Sequence, residues 1–369
     1  MEDIKMTATK AQYAKLKAEL DAAFLAVMEQ MGNRDGKTVR ELASEVENYL
    51  QVAQAAPCAT GPDALQLAFQ ALQLPPGAEV ILPAFASGEV ADGILKAGLQ
   101  PVFADVNKDT FTLCPASAER MVSAKTAAIL PVHLFGQCAQ MKELTALAAK
   151  YNLSVIEDAS QALGAIYVWD DGKEQRAGSL GHTAYTSFFP GKPLLDSGEG
   201  AAALANQQEA ADRLRQFAGR VHQLDALEAA MLRVKVSHAD AYHAPRQEIA
   251  RFYNNTFAET ELVQAPHTTG YSSHTYQQYA IKVPPAMRNG LKQYLYDNYI
   301  PSAIYYTEPL HLQEKYTSGL YQIGDLPVAE MLSQSLLALP MHSELKEEQL
   351  VYICQHVLTY VKQEGEVKK

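Results

Sequence analysis

From about residue 55 the chain enters an alternation that few folds can accommodate. Short β-rich runs at residues 55–59, 79–83, 101–106, 127–133, 154–158, 183–188 and 200–205 are separated by helical stretches at 62–74, 88–97, 138–151 and 207–217. Seven such runs predict one large, mostly parallel sheet with crossover helices on both faces. In sheets of this kind ligands gather at the carboxyl ends of the strands. Residues that close a strand therefore become the first candidates for chemistry.

The flanks follow a different period. Tyr13, Leu16, Leu20, Phe24 and Val27 recur at helical spacing over residues 8–31, and Val39, Leu42, Val46 and Leu50 do so over 38–50, with a polar turn at 32–37 between them. Beyond the sheet, 224–242 and 246–257 read as helices with Pro245 as the break. A smaller α+β part then shows one alternating strand at 276–283 and helices at 288–299, 326–336 and 346–362. A chain of 369 residues exceeds the usual growth limit of a single core. We expect a large α/β domain over 1–245 and a small C-terminal domain over 246–369.

Composition removes several functions. A formal net charge of −11 opposes a nucleic-acid backbone as partner. Cys58, Cys114, Cys138 and Cys354 are scattered without metal-ligand spacing or a disulfide pattern, so no metal is expected and a reducing compartment fits best. The amino terminus lacks the apolar core of a signal peptide and no uncharged stretch is long enough to span a bilayer, which points to the cytoplasm.

Two strand ends carry the chemistry. Asp158 closes the apolar run Val155-Ile156-Glu157, and Lys192 follows the next strand in Ser187-Phe188-Phe189-Pro190-Gly191-Lys192. A lysine amine can form a Schiff base with an aldehyde, and a buried aspartate can keep a pyridine nitrogen protonated; together they suggest pyridoxal phosphate. The turn Thr60-Gly61-Pro62-Asp63 leads from the first strand into a helix, where free amides and a hydroxyl favour a phosphate. Gln161 can donate to the cofactor's phenolate oxygen, and the Ser187 hydroxyl can bind its phosphate.

These blocks, with Pro101-Val102-Phe103-Ala104-Asp105, Pro131-Val132-His133-Leu134-Phe135-Gly136-Gln137, Glu157-Asp158-Ala159-Ser160-Gln161 and Pro309-Leu310-His311-Leu312-Gln313, occur in an order that resembles the pyridoxal-phosphate-dependent nucleotide-sugar aminotransferases of the DegT/StrS group. The resemblance spans roughly residues 10–360. It implies fold type I, a homodimer with active sites at the subunit interface, L-glutamate as amino donor and a nucleotide-linked keto sugar as acceptor. It assigns Lys192 to the Schiff base, Asp158 to the pyridine nitrogen, Gln161 to the ring hydroxyl, and Ser187 with the Gly61 turn to the phosphate. His311 and Gln313 would line the sugar site, and Lys37, with Arg34 beside it, could meet the nucleotide pyrophosphate.

The chain departs from that pattern at three places. Pro62 stands where the family usually has threonine, Ser87 where it has an aromatic residue stacked on the cofactor ring, and Val221 where it has an asparagine that reaches the partner's phosphate site. Phe85 is left as the nearby aromatic. Losing two or three charge-assisted hydrogen bonds of about 1.5–3 kcal/mol each would weaken cofactor binding by orders of magnitude unless His182, Thr186 or Thr60 compensates. A non-catalytic protein that binds a nucleotide sugar or a partner enzyme is therefore the alternative. The dehydratase branch of the family has histidine at the position of Lys192, so the lysine disfavours it. Tyr294, Tyr296, Tyr299, Tyr305 and Tyr306 could stack on sugar or base, or pack a domain face.

Overall fold

The computed structural model describes residues 3–7, 9–29, 36–188, 200–317 and 320–367. In chain order the strands before residue 206 are β1 (Gln54–Cys58), β2 (Glu79–Pro83), β3 (Gln100–Ala104), β4 (Thr126–Ile129), β5 (Ser154–Asp158), β6 (Ile166–Val168), β7 (Glu174–Arg176), β8 (Thr183–Ser187) and β9 (Ala201–Ala205). Each of the seven expected runs supplies one strand of a single sheet, in the order β1-β9-β8-β5-β4-β2-β3. β3, β2, β4, β5 and β8 run parallel. β9 is antiparallel to both β8 and β1. β6 and β7 form a separate hairpin.

The sheet core explains its own spacing. All five residues of β9, Ala-Ala-Ala-Leu-Ala, are buried, and the helix Gly61–Leu72 packs across β8 and β9. Alanine side chains let that helix lie close to the sheet, and its own Leu65, Leu67 and Phe69 are all buried, on more than one of its faces. β5 sits at the centre with four of its five residues buried, so its last residue is presented at the middle of the carboxyl edge.

The two N-terminal helices form over Thr9–Glu29 and Lys37–Leu50. The first buries Leu16 and Leu20 but leaves Phe24 and Met28 about four-tenths exposed and Leu25 more so. The expected apolar stripe is thus only half covered within one chain. Pro245 is no break: one helix runs through it from His243 to Phe257. Proline stands in the first turn, where its missing N–H would have no intrahelical acceptor in any case.

A second core surrounds β10 (Tyr279–Lys282) and β11 (Leu336–Leu339), an antiparallel pair where the sequence pattern shows one strand. The apolar run of β11 directly follows the helix Pro327–Ser335 and merges with it in that pattern. Helices Pro285–Asp297 and Glu347–Val367 cover the pair. None of the described helices is long and apolar enough to cross a membrane.

Three histidines are held neutral by this packing. Burial lowers His274 to about 3, and His243 and His342 to about 4. Each folded-state value lies below the ordinary 6.5, so the folded chain binds fewer protons than the unfolded chain as pH falls. Stability is present above pH 6.5 and is lost between 6.5 and about 3. We expect Tm to drop by roughly 10 °C between pH 6.5 and 4, read by calorimetry. His274→Asn with His342→Asn should flatten that slope, because each asparagine Oδ1 stands where the imidazole Nδ1 now accepts a backbone amide, that of Tyr276 and of Glu344.

Candidate active site

Asp158 ends β5 with only a few per cent of its surface exposed. Its Oδ1 accepts the Ser160 amide at 2.9 Å and the Ser160 hydroxyl at 2.6 Å. Burial pushes the carboxyl above the ordinary aspartate value, and the hydroxyls of Ser160 and Tyr185 pull against that rise. Tyr185 lies opposite Asp158 in the parallel register of β5 and β8. No lysine or arginine among the described residues forms an ion pair with this carboxylate. A buried carboxylate lacking a cation is a receptor for one.

Around it the chain gathers a polar and aromatic cluster. Gln161 is held at both ends of its amide: Oε1 accepts from the Phe135 amide at 3.3 Å, and Nε2 donates to the Tyr306 hydroxyl at 3.1 Å. Tyr306 meets Phe85 edge-on at 5.5 Å, and Phe85 is fully buried. Burial raises the Tyr306 phenol far above its usual value, and the Asp158 charge adds to the rise. Ser160, Gln161, Ser187 and Phe188 line one cavity of about 120 Å³. Lys192 lies outside the described residues, as does Arg34.

The helix Gly61–Leu72 opens nearby with a specific cap. Thr60 Oγ1 accepts from the Asp63 amide at 3.2 Å and donates to Asp63 Oδ2 at 2.8 Å, and the Ala64 amide goes to the Thr60 carbonyl. Pro62 has no amide to offer. A Cβ built on Gly61 would meet nothing within 4 Å, so the space before the helix is open. The positive end of the helix and the Gly61 amide are what this turn presents to an anion.

The residues fit the ring end of pyridoxal phosphate better than its phosphate end. A pyridinium would complete the buried Asp158 carboxylate, and Phe85 and Tyr306 give apolar walls. For the phosphate there remain Gly61, the helix terminus and Ser187. Ser87 does not face a ring, because its hydroxyl caps the helix Gly88–Lys96 by accepting from the Glu89 amide at 3.4 Å. Val221 packs against the main core. Of the groups expected to compensate, His182 precedes β8 and binds the Val155 amide through Nδ1 at 2.9 Å, which puts it at the opposite end of the strand from Ser187. Thr186 is buried with its hydroxyl near the Ala159 carbonyl at 3.3 Å, and the Thr60 hydroxyl is engaged by Asp63.

The more distant candidates separate from this cluster. Lys37 is 3.8 Å from Glu41 and borders a surface groove with Glu19, Glu45 and Arg233. His311 is fully buried, with Nε2 3.2 Å from Glu330, and Gln313 donates to the Glu308 carbonyl at 3.2 Å. Both stabilise the loop around residues 308–313. Tyr296 and Tyr299 are largely exposed. Of five tyrosines with equal standing in the sequence, Tyr306 is the one the fold brings to Gln161. Tyr185 does not stand out from the sequence pattern, although its register with Asp158 follows once β5 and β8 are neighbours.

An aspartate at the carboxyl end of the central strand of such a sheet, with an anion-ready helix start beside it, describes a fold type I pyridoxal-phosphate enzyme. The DesV structure of S. venezuelae in complex with a ketimine intermediate superposes with a TM-score of 0.88 over 97% of this chain and 98% of that one, at 30% identity. Among sequences, a pleiotropic regulatory protein of Geobacillus stearothermophilus is 36% identical over 97% of this chain and 98% of its own length. A UDP-N-acetyl-3-dehydro-alpha-D-glucosamine 3-aminotransferase of Acidithiobacillus ferrooxidans is 34% identical over 95% and 96%. Residues 14–358 match the DegT/DnrJ/EryC1/StrS aminotransferase family, and the chain belongs to that family. Pyridoxal phosphate is its cofactor.

Proposed function

We propose that this chain transfers an amino group from L-glutamate to a keto group of a nucleotide-linked sugar, in amino-sugar or cell-surface glycan synthesis. The observation that carries the reading is the buried Asp158 carboxylate, ended on the central strand without a described cation. Bound pyridoxal phosphate supplies an aldehyde and an electron-withdrawing ring. Asp158 holds the proton on the ring nitrogen, and Ser160 and Tyr185 fix the carboxylate's orientation. Lys192 would hold the cofactor through its aldehyde and would carry a proton to and from the donor's α-carbon. Gln161 would meet the ring hydroxyl, Phe85 and Tyr306 would exclude water, and Thr60, Gly61, Pro62, Asp63 and Ser187 would border the phosphate.

We propose further that the protein acts in the cytoplasm as a homodimer. The exposed Phe24, Leu25 and Met28 on one helix support a covered surface there. Lys37, His311 and Gln313 are assigned to the nucleotide-sugar side by the family resemblance; the structure sets them against Glu41, Glu330 and the Glu308 carbonyl.

A second reading keeps the fold and the ligand without turnover. Pro62 and Val221 favour it, because neither side chain can hydrogen-bond a phosphate. One measurement separates the two: the visible spectrum of the purified protein with added pyridoxal phosphate, before and after borohydride, in wild type and Lys192→Ala. The aminotransferase gives a lysine-dependent band that glutamate bleaches, and borohydride fixes the label to wild type alone. A spectrum indifferent to Lys192 overturns the catalytic reading.

A further inference from the structure

The helix Pro327–Ser335 begins without a cap of its own. Its N-cap residue Leu326 has no hydrogen-bonding side chain, Pro327 has no amide, and the next two amides, Val328 and Ala329, have no acceptor within the helix. Both go to one carboxylate at the end of β3, an edge strand of the large sheet. Asp105 Oδ2 accepts the Val328 amide at 3.1 Å, and Oδ1 accepts the Ala329 amide at 2.9 Å. Asp105 is itself buried, with its amide held by the Ser117 hydroxyl at 2.8 Å. Its charge meets the positive end of the helix dipole.

A second carboxylate, on that helix, gathers the chain before it. Glu330 Oε1 accepts the Gly324 amide at 2.8 Å and the Leu326 amide at 3.4 Å, and His311 Nε2 lies 3.2 Å from it. His311 is fully buried, and the residue before it closes on the sheet. The Leu310 amide donates to the Ala84 carbonyl at 2.8 Å, and the Ala84 amide donates to the carbonyl of Ala104, the neighbour of Asp105, at 2.9 Å. Tyr321 adds a third tie: its hydroxyl accepts from the Phe103 amide at 2.9 Å and donates to the Phe103 carbonyl at 3.2 Å, closing open backbone groups of the edge strand. Tyr306 stands just before the Leu310 tie, with its ring against Phe85 and its hydroxyl accepting from the Gln161 amide.

We infer that Asp105 and Glu330 are positioning residues for the reaction: together they clasp residues 306–311 and 324–329 to the edge of the sheet, and so hold Tyr306 where it fixes the amide of Gln161. The inference rests on the assignment of Gln161 to the cofactor ring. It goes beyond that assignment by placing control of the contact in two carboxylates that touch neither Gln161 nor Asp158. Between Ile300 and Pro327 the described helices are the short turns Leu310–Leu312 and Glu314–Thr317. Chain of this kind takes its place from ties to its surroundings and not from a ladder of its own. With the clasp closed, the direction of the Gln161 amide is set before a ligand arrives, which spares the ordering cost on binding.

The test is a double-mutant cycle on cofactor affinity, read by calorimetric titration of pyridoxal phosphate into the cofactor-free full chain, which needs no turnover. Asp105→Ala should weaken binding at least fivefold, and Tyr306→Ala by a similar factor. Added to Tyr306→Ala, the Asp105→Ala change should weaken it by less than twofold more. Asp105→Asn, which keeps Oδ1 for the Ala329 amide, should recover part of the loss, and paired with Tyr306→Phe it repeats the cycle where an alanine variant does not fold. In the cofactor-free Asp105→Ala chain, hydrogen exchange should quicken at least tenfold at the Leu310, Val328 and Ala329 amides and stay unchanged in β5. Tyr253→Phe, which strands the Pro340 carbonyl in the second core, should lower Tm without moving cofactor affinity. Affinity unchanged in Asp105→Ala, losses that multiply in the double variant, or an equal loss in Tyr253→Phe overturns the clasp. If no donor supports amino transfer while the cycle and the exchange pattern hold, the aminotransferase reading fails and the clasp stands.

Discussion

Asp158→Asn should weaken pyridoxal phosphate binding by ten- to a hundredfold or more and slow amino transfer by about 10²–10³, while leaving the cofactor-free protein as stable as wild type or more so. The two effects have opposite physical origins. Asparagine can keep the Ser160 amide and hydroxyl bonds through its carbonyl oxygen, and it removes a carboxylate that burial already disfavours. The empty protein therefore loses little packing and one desolvated charge. With the cofactor present, a charge-assisted hydrogen bond worth about 1.5–3 kcal/mol is gone, and the ring nitrogen no longer keeps its proton. Rate losses of about 10²–10³ are ordinary when a preorganised electrostatic partner of the reacting centre is removed. Thermal melts without cofactor, an absorbance titration with cofactor, and glutamate turnover measure the three quantities. A cofactor affinity equal to wild type would remove Asp158 from the ring site.

Asp158 is legible in the amino-acid sequence because its signal is local: an apolar run, an acid at its end, and a helix after it. The seven strands are legible for the same reason, each being a short β-rich run between helical periods. Their order is not, because pairing β9 between β1 and β8 depends on contacts far apart in sequence. The hairpin of β6 and β7 escapes the pattern although Asp171-Gly172 is a turn signal, since three-residue strands give too little alternation to register. Pro245 misleads because proline in the first turn of a helix and proline ending one look alike in sequence. Tyr306 and Arg246 are illegible in a stronger sense. Both lie on ordinary helix or loop patterns, and only tertiary packing brings one to Gln161 and the other to Gln277.

Glu157 is the extreme case, a residue that reads as part of an apolar strand and turns out to hold a buried polar network beside Asp158. Its carboxylate is fully buried and accepts four bonds: Oε1 from the Leu180 and Gly181 amides at 2.7 and 2.6 Å, Oε2 from the Gly178 amide and His133 Nε2 at 2.8 Å each. His133 Nδ1 accepts the Ala139 amide at 3.1 Å, which leaves Nε2 as the ring nitrogen that donates to Glu157. The His133 amide in turn donates to the Asp158 carbonyl. The carboxylate therefore ties the 178–181 turn and the 133–139 segment to the strand that presents Asp158. Glu157→Ala strands four donors at about 1–3 kcal/mol each, partly relieved if water enters, and should cost at least about 4 kcal/mol. Glu157→Gln should be nearly as damaging, because its amide nitrogen would face N–H donors with hydrogens of its own. His133→Asn, which disturbs one of the four bonds, should cost about half as much. Denaturant unfolding of the three variants, ranked Glu157→Ala, Glu157→Gln, His133→Asn from least to most stable, checks the network. A glutamine variant as stable as wild type would mean that Glu157 is held by shape and not by its charge.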